Sequence, residues 1–351
     1  MAVASRIGER IERLRASLEE PPLVTTGVNV RYLTDLQSSN AALLVGEDDL
    51  LLFTDFRYAE AARAVDGVEF VQAQRFLLNT VGERLRGRRI GFEASALNYD
   101  GWERLGNAGV ELVPRRGQVE RLRAVKDENE LATIREVARM TDDAFASLAE
   151  ETFVGRTELD LSWRMEQLMR ENGAEGVAFS HVGSGSNGAL PHGEPGERIV
   201  EPNELVVVDA GALLDGYHSD CTRTFATGEL PDDLAEAYAS CLKGQLAGLD
   251  AMRAGVSGAD ADAAARNSIE ADGFGEKFGH GLGHGLGLLI HEAPAARPES
   301  EDVLEPGNLV TCEPGIYLEG HGGVRIEDLV VITDGEPENL SPYTKELVTV
   351  R

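Results

Sequence analysis

The chain has 351 residues, 42% of them hydrophobic, and 61 acidic side chains against 33 basic ones give a formal charge of −28. That length and apolar content point to two domains with real cores and exclude a wholly disordered chain. The charge argues against nucleic acid and anionic lipid as partners, because phosphate binding draws on Lys and Arg.

Only four of the basic residues are lysine (Lys126, Lys243, Lys277, Lys345). An acid-rich, lysine-poor balance reads as that of a protein from a salt-loaded cytoplasm, where a Debye length of about 3 Å at molar salt screens self-repulsion. Three cysteines, Cys221, Cys241 and Cys312, make neither an even set nor a CxxC pair, as expected in a reducing cytosol. No apolar run approaches the ~18–20 residues that span a bilayer, and the first residues lack the apolar core of a signal peptide. The expectation is a soluble, cytoplasmic protein.

In chain order, Ile7, Ile11, Leu14 and Leu18 recur at helical spacing before Pro21-Pro22. Apolar runs at 41–45, 50–53, 68–71, 89–92 and 110–113 alternate with helical stretches at 56–65, 77–85 and 99–107, which reads as an α/β domain over 1–124. Asp127 followed by Glu130 fits a helix N-cap with a reciprocal carboxylate, and Leu131, Ile134, Ala138, Thr141, Phe145 and Leu148 continue it at 3-4 spacing. The second domain, 125–351, is predicted to be α+β. Its helices are expected over 157–172, from Pro231 at the first helical position to Gly255, and from a Ser257 cap to Gly273. Its strands are expected at 205–211, 221–226, 309–313 and 324–332.

Carboxylates stand where these strands should be apolar. Asp209 ends Leu205-Val-Val-Val, and Asp220 follows after a turn-like Leu214-Asp-Gly-Tyr217, so a hairpin is expected to set the two side by side. Glu313 closes Leu309-Val-Thr-Cys, and Glu327 lies within Val324-Arg-Ile-Glu-Asp-Leu-Val-Val-Ile. Alternation puts Arg325 and Glu327 on one face of that strand and Asp328 on the other. A buried carboxylate without a partner costs several kcal/mol, so four of them call for cations. Histidine is offered by the glycine-flanked His280 and His284, by His291 and by His192 in a turn-like loop; four of the seven histidines fall between 280 and 321. Such an oxygen-rich set suits Mn²⁺ or a similar divalent ion rather than a thiolate zinc site. Cys312 and Cys221, each next to an acidic residue on a strand, should point away into the core.

Asp209, Asp220, His284, Glu313 and Glu327, in that order and in those surroundings, resemble the five dinuclear-metal ligands of the pita-bread metallopeptidases, which include methionine aminopeptidases, aminopeptidase P and prolidase. Arg325-Ile-Glu-Asp328, Ala189-Leu-Pro-His-Gly193 and His291-Glu-Ala-Pro294 are similar to the Xaa-Pro branch, prolidase and aminopeptidase P. Asn29-Val-Arg-Tyr-Leu-Thr34, Ser39-Asn-Ala-Ala-Leu-Leu44 and Asp55-Phe-Arg-Tyr58 resemble the creatinase-type N-terminal domain, so the similarity spans essentially the whole chain.

The resemblance implies a pita-bread catalytic domain behind a creatinase-type domain, and a homodimer. It also implies two divalent ions, Mn or Co before Zn or Fe, bridged by Asp220 and Glu327. Asp209 then completes one ion's shell, and His284 with Glu313 the other's. The ions share a water whose pKa they lower, Glu313 is its base, and the carbonyl before proline in a dipeptide or short peptide is attacked. His192 and His291 are expected to steady the oxyanion and deliver a proton to the proline nitrogen, and Arg325 to brace Glu327 or Glu313. His280 is a weaker candidate for a direct role; His181 and His321 are assigned to the substrate pocket or the surface. Two departures from the family pattern appear: Ser186 where proline is frequent, and Ala295 where many members place an arginine that can reach a substrate carboxylate, with Arg297 two residues on. A creatinase-like C–N hydrolase works without metal and a binding protein on this fold typically loses ligands, so five intact positions disfavour both. Taken with the acidic charge balance, the resemblance leads us to expect a halophilic archaeon as the source.

Overall fold

The computed structural model describes residues 2–16 and 19–351, so Leu18 lies outside the described residues. The chain divides into two compact units, up to Arg123 and from Ala124.

In the first unit, α1 (Ala2–Ala16) buries Ile7, Ile11 and Leu14. There follow β1 (Pro22–Val24), α2 (Gly27–Thr34), β2 (Ala41–Val45), β3 (Leu50–Thr54), α3 (Ala59–Arg63), β4 (Glu69–Gln72), α4 (Leu77–Leu85), β5 (Arg89–Glu93), α5 (Tyr99–Asn107), β6 (Glu111–Arg115) and α6 (Gln118–Ala124). The sheet runs β4-β3-β2-β1-β5-β6. The β1–β2–β3 pairs are antiparallel and the outer pairs parallel. Leu23, Leu44, Phe53 and Ile90 of the sheet meet Val81, Leu85 and Leu105 of α4 and α5.

The helix expected over 56–65 is instead a 3₁₀ turn, Phe56–Tyr58, capped by the Asp55 carboxylate on Arg57 N, before α3. The element least visible in the pattern is α2, because its buried face is partly polar. Asn29 is fully buried and is satisfied by Glu93, Glu120 and Arg123 rather than by apolar packing.

The second unit opens with α7 (Glu128–Ala149), whose capping box is made by Asp127 and Glu130 as expected, and α8 (Glu158–Glu171), with a second box from Thr157 and Asp160. These two helices cover one face of a sheet built from β7 (Gly176–Ser184), β8 (Leu205–Leu214), β9 (Tyr217–His218) and β10 (Cys221–Ala226), ordered β10-β8-β7 with β9 on β8. Phe145, Leu161 and Met165 pack there on Val206, Val208 and Ala210. The turn between β8 and β9 needs positive φ at Asp215 and Gly216 (46° and 76°), which Asp-Gly supplies readily.

Next come α9 (Asp232–Ala251), α10 (Gly258–Ala271), β11 (Gly283–Gly285), β12 (Glu292–Ala296), β13 (Leu309–Cys312), β14 (Gly315–Leu318), β15 (Gly322–Arg325), β16 (Asp328–Val331) and β17 (Glu338–Asn339). A sheet ordered β12-β11-β13-β16-β17 and the hairpin β14–β15 complete the unit.

Three expectations require correction. Pro231 is the N-cap of α9, with ψ 146° too extended for a first helical residue. That helix ends at Ala251 rather than Gly255, because Gly255 lies in a turn whose N–H bonds Leu304 O. The strand expected over 324–332 is two strands in different sheets. β15 pairs with β14 and β16 with β13, and between them the Glu327 N–H reaches across to Thr222 O.

Candidate metal centre

Each of the five acidic or imidazole side chains singled out in the sequence comes from a different backbone device. Asp209 sits within β8, where β10 places Thr222 opposite it and β7 places His181. Asp220 immediately precedes β10, so it is Thr222, not Asp220, that directly faces Asp209; Asp220 stands two residues away on the same face. His284 lies in β11, next to a bulge at Gly285. A Cβ on Gly283 would stand 1.9 Å from Thr311 O, and one on Gly285 2.3 Å from Ala293 O, so the glycines flanking His284 are dictated by close backbone approach. Nothing comparable crowds Gly279, before His280. Glu313 follows β13, its N–H held by Leu282 O at 2.8 Å, and Glu327 occupies the break between β15 and β16.

All five line one cavity of about 470 Å³, together with Arg325, His192 and His291. His284 Nε2 lies 3.2 Å from Glu313 Oε1 and 3.7 Å from Asp220 Oδ2. One donor atom each from Asp220, His284 and Glu327 fall within 4.8 Å of one another. Asp209 Oδ1 and Glu327 Oε1 are buried with no hydrogen-bond partner. Ionised carboxylate oxygens only accept, so converging orphaned oxygens beside an imidazole are what a divalent cation would satisfy, and the residues present fit one.

The electrostatics agree. Burial first, and then the charges of Glu327 and Asp209, push the Asp220 carboxyl well above its usual range. Burial, Glu313 and Asp209 do the same to Glu327. Burial also acts on Glu313, but the hydrogen bond and charge of His284 outweigh it and bring Glu313 down to about 2. Burial opposes protonation of His284, yet Glu313 raises it overall.

This predicts an unusual pH dependence of stability for chelator-treated protein. Asp220 and Glu327 bind protons more tightly folded than unfolded. Their contribution is therefore fully present below the ordinary carboxylate value and is lost as pH rises through their raised values. Thermal melts should show the metal-free form losing stability upward from about pH 4, with added Mn²⁺ restoring more at pH 7 than at pH 5. A Mn²⁺-induced shift that is the same at both pH values would contradict it.

Arg325 braces a different carboxylate from the one expected. Its Nη2 donates to Asp209 Oδ2 at 2.7 Å, its Nη1 to Tyr317 Oη at 3.1 Å and its Nε to Thr222 Oγ1 at 3.1 Å. It reaches Glu327 only through Thr222, which donates to Glu327 Oε2 at 2.7 Å. Thr222 and Tyr317 are the residues missed from sequence; the usable signal for Thr222 was its place two residues beyond Asp220, on the same face of the strand.

His192 and His291 are exposed at the cavity wall. The His291 ring stands edge-on to His284 with centroids 4.3 Å apart, and burial and then the charge of His284 hold it below the usual imidazole value. His280 Nε2 meets Tyr317 Oη at 2.9 Å, whereas His321 pairs with Asp233 at the surface. All three cysteines are free and buried, Cys221 and Cys312 within core clusters as expected. Among the described residues no helix is long and apolar enough to cross a membrane.

Comparison with known proteins extends this geometry. Residues 132–334 match the family described as Metallopeptidase family M24, and residues 10–125 match the Creatinase/Prolidase N-terminal domain. A protein of Pyrococcus horikoshii described as Xaa-Pro dipeptidase is 32% identical, the alignment covering 98% of each chain. The solved structure of a Xaa-Pro dipeptidase from Bacillus anthracis is similar at TM-score 0.94 and 38% identity, covering 98% of this chain and all of the other. That of an X-Pro aminopeptidase from Thermotoga maritima is similar at TM-score 0.87 and 31% identity, over 96% of this chain and 100% of the other.

Proposed function

The chain belongs to metallopeptidase family M24, and from that premise we propose that it hydrolyses the bond between an N-terminal residue and a following proline, with two divalent cations held by Asp209, Asp220, His284, Glu313 and Glu327. The observation that carries this reading is the convergence of four carboxylates and one imidazole on a single cavity in which two buried carboxylate oxygens lack partners. Divalent ions at such a site acidify a water and polarise the scissile carbonyl.

The chain's own residues do the rest. Glu313 accepts the proton of the attacking water, its Oε1 already fixed by Thr311 Oγ1 at 2.9 Å. His291 and His192, at the wall, donate toward the developing oxyanion and the departing proline nitrogen. Arg325 holds Asp209, and Thr222 holds Glu327, in place. Because proline nitrogen carries no N–H, the site recognises the bond without a donor from that position.

Mn²⁺ or Co²⁺ suits a donor set of oxygens with a single imidazole. A homodimer, a cytoplasmic location and a saline host belong to the same reading; the last is supported by 61 acidic residues against 33 basic. The deciding experiment is to strip the protein with chelator and assay Xaa-Pro cleavage in high salt. Activity should vanish and return with Mn²⁺ or Co²⁺; indifference to metal would sink the proposal.

Dipeptide and longer substrates are separated by Arg297. It lines the cavity and is exposed, and it stands two residues beyond Ala295. If it takes the carboxylate of a bound Xaa-Pro dipeptide, Arg297→Ala should raise KM for the dipeptide about tenfold and leave Xaa-Pro-Yaa peptides nearly unchanged. Equal KM shifts for both substrates would assign it no such role.

A further inference from the structure

Glu158 is the first residue of α8, and it is fully buried. It takes no part in the helix cap, which Thr157 and Asp160 make between them. Its carboxylate turns instead to the segment that joins β7 to β8. Oε1 accepts from Ser184 N and from Ser184 Oγ, each at 2.8 Å, and Oε2 accepts from Gly196 N at 3.3 Å. The Asn187 amide nitrogen bridges both oxygens, at 3.1 and 3.0 Å. Arg198 Nη1 donates to Ser184 Oγ at 2.6 Å, which leaves that hydroxyl's own proton for Glu158. The backbone completes the tie: Glu158 N–H donates to Arg198 O at 3.0 Å and Leu159 N–H to Gly196 O at 3.1 Å.

Every partner of the carboxylate is a donor, the set that an ionised carboxylate requires. A neutral amide of the same shape would turn an NH₂ group toward Ser184, Asn187 or Gly196, all of them donors. Burying a whole charge is costly unless donors offset it, so the negative charge is here matched to the loop it holds. One side chain thus fastens both ends of the segment 184–196. That segment carries Pro191 and His192, which line the cavity, whereas Glu158 does not. Among the described residues no hydrogen bond or ion pair holds the His192 ring. Its place is therefore set by the backbone beneath it, where Gly193 N–H closes on Leu190 O and Arg325 Nη1 donates to Pro191 O at 3.3 Å.

We propose that Glu158 is a positioning residue: by fixing the Ser184 and Gly196 ends of this loop, it sets where the His192 imidazole stands in the cavity. The inference rests on the reading above in which His192 acts on the substrate.

In Glu158→Gln, kcat for Xaa-Pro cleavage should fall about a hundredfold, the cost of displacing a catalytic group by about 1 Å. KM should change little, because the interaction lost is one made in the transition state. Asn187→Ala removes only the bridging donor, from a half-buried position, and keeps the test open if Glu158→Gln does not fold; its kcat should fall about tenfold. A cycle with His192→Gln separates positioning from mere support. In that background either variant should cost nothing further, whereas a structural role would leave the loss undiminished. A second readout needs no turnover. In Zn²⁺-loaded, histidine-labelled protein, ¹H–¹³C NMR should show the His192 ring signals shifted and broadened in both variants. Those of His321, paired with Asp233 at the surface, should stay in place. His192 signals unmoved in both variants, or equal losses of kcat with and without His192, overturn the proposal. If the signals move as expected while the wild-type protein cleaves no Xaa-Pro peptide, Glu158 still positions His192 and the peptidase reading falls.

Discussion

Asp220→Asn is expected to lower turnover about a thousandfold or more, beyond the roughly 10–100-fold that loss of an outer partner of a metal ligand costs, while raising the stability of the metal-free protein. The two effects have one origin. Asp220 lies within donor reach of His284 and Glu327 and is crowded by the charges of Glu327, Asp209 and Glu313. An amide of the same shape removes one like charge from that cluster but offers a cation only a neutral oxygen. Metal content by elemental analysis should fall, and the melting temperature without metal should rise. Full activity in the variant would refute the assignment of Asp220 to the metal.

Arg223→Met should be the most damaging substitution for stability, costing about 3–5 kcal/mol, as expected when one partner of a buried ion pair is removed. Arg223 and Asp328 are almost wholly buried, with Arg223 Nη2 2.9 Å from Asp328 Oδ1. The same guanidinium donates to the carbonyls of Ser341 and Tyr343 and to that of Glu327. Gln245, Asn339 and Lys345 complete the shell of Asp328. Urea unfolding of the variant should show the loss, and a midpoint within error of the wild type would mean the cluster carries no net stability.

Much of this architecture was legible in advance wherever one physical signal dominated. The capping box at Asp127–Glu130, the apolar run of β8 that ends at Asp209, and the five acidic and imidazole side chains that line the cavity each announce themselves by residue type at fixed positions. The misreadings share a cause as well. Val324–Ile332 is a continuous strand by pattern, but its middle residues bond to Thr222 and Pro314, carbonyls outside both flanking ladders, and tertiary pairing divides it between two sheets. Arg325 and Glu327 still face one site, though not through simple alternation: both meet at Thr222. The helix α2 was hidden because its buried Asn29 is satisfied by partners more than sixty residues away. No periodicity within a window encodes which distant group satisfies a polar side chain.

The clamp on Arg223 bears on the order in which the chain can assemble during synthesis. Its acceptors Ser341 and Tyr343 lie 118 and 120 residues downstream, and Ala226 of the same strand is closed by Val348 and Val350. Contacts this distant form late, because the loop between them must close before they contribute anything. The strand β10, which places Thr222 opposite Asp209, is therefore locked only after the segment 341–350 has been made and has docked on it.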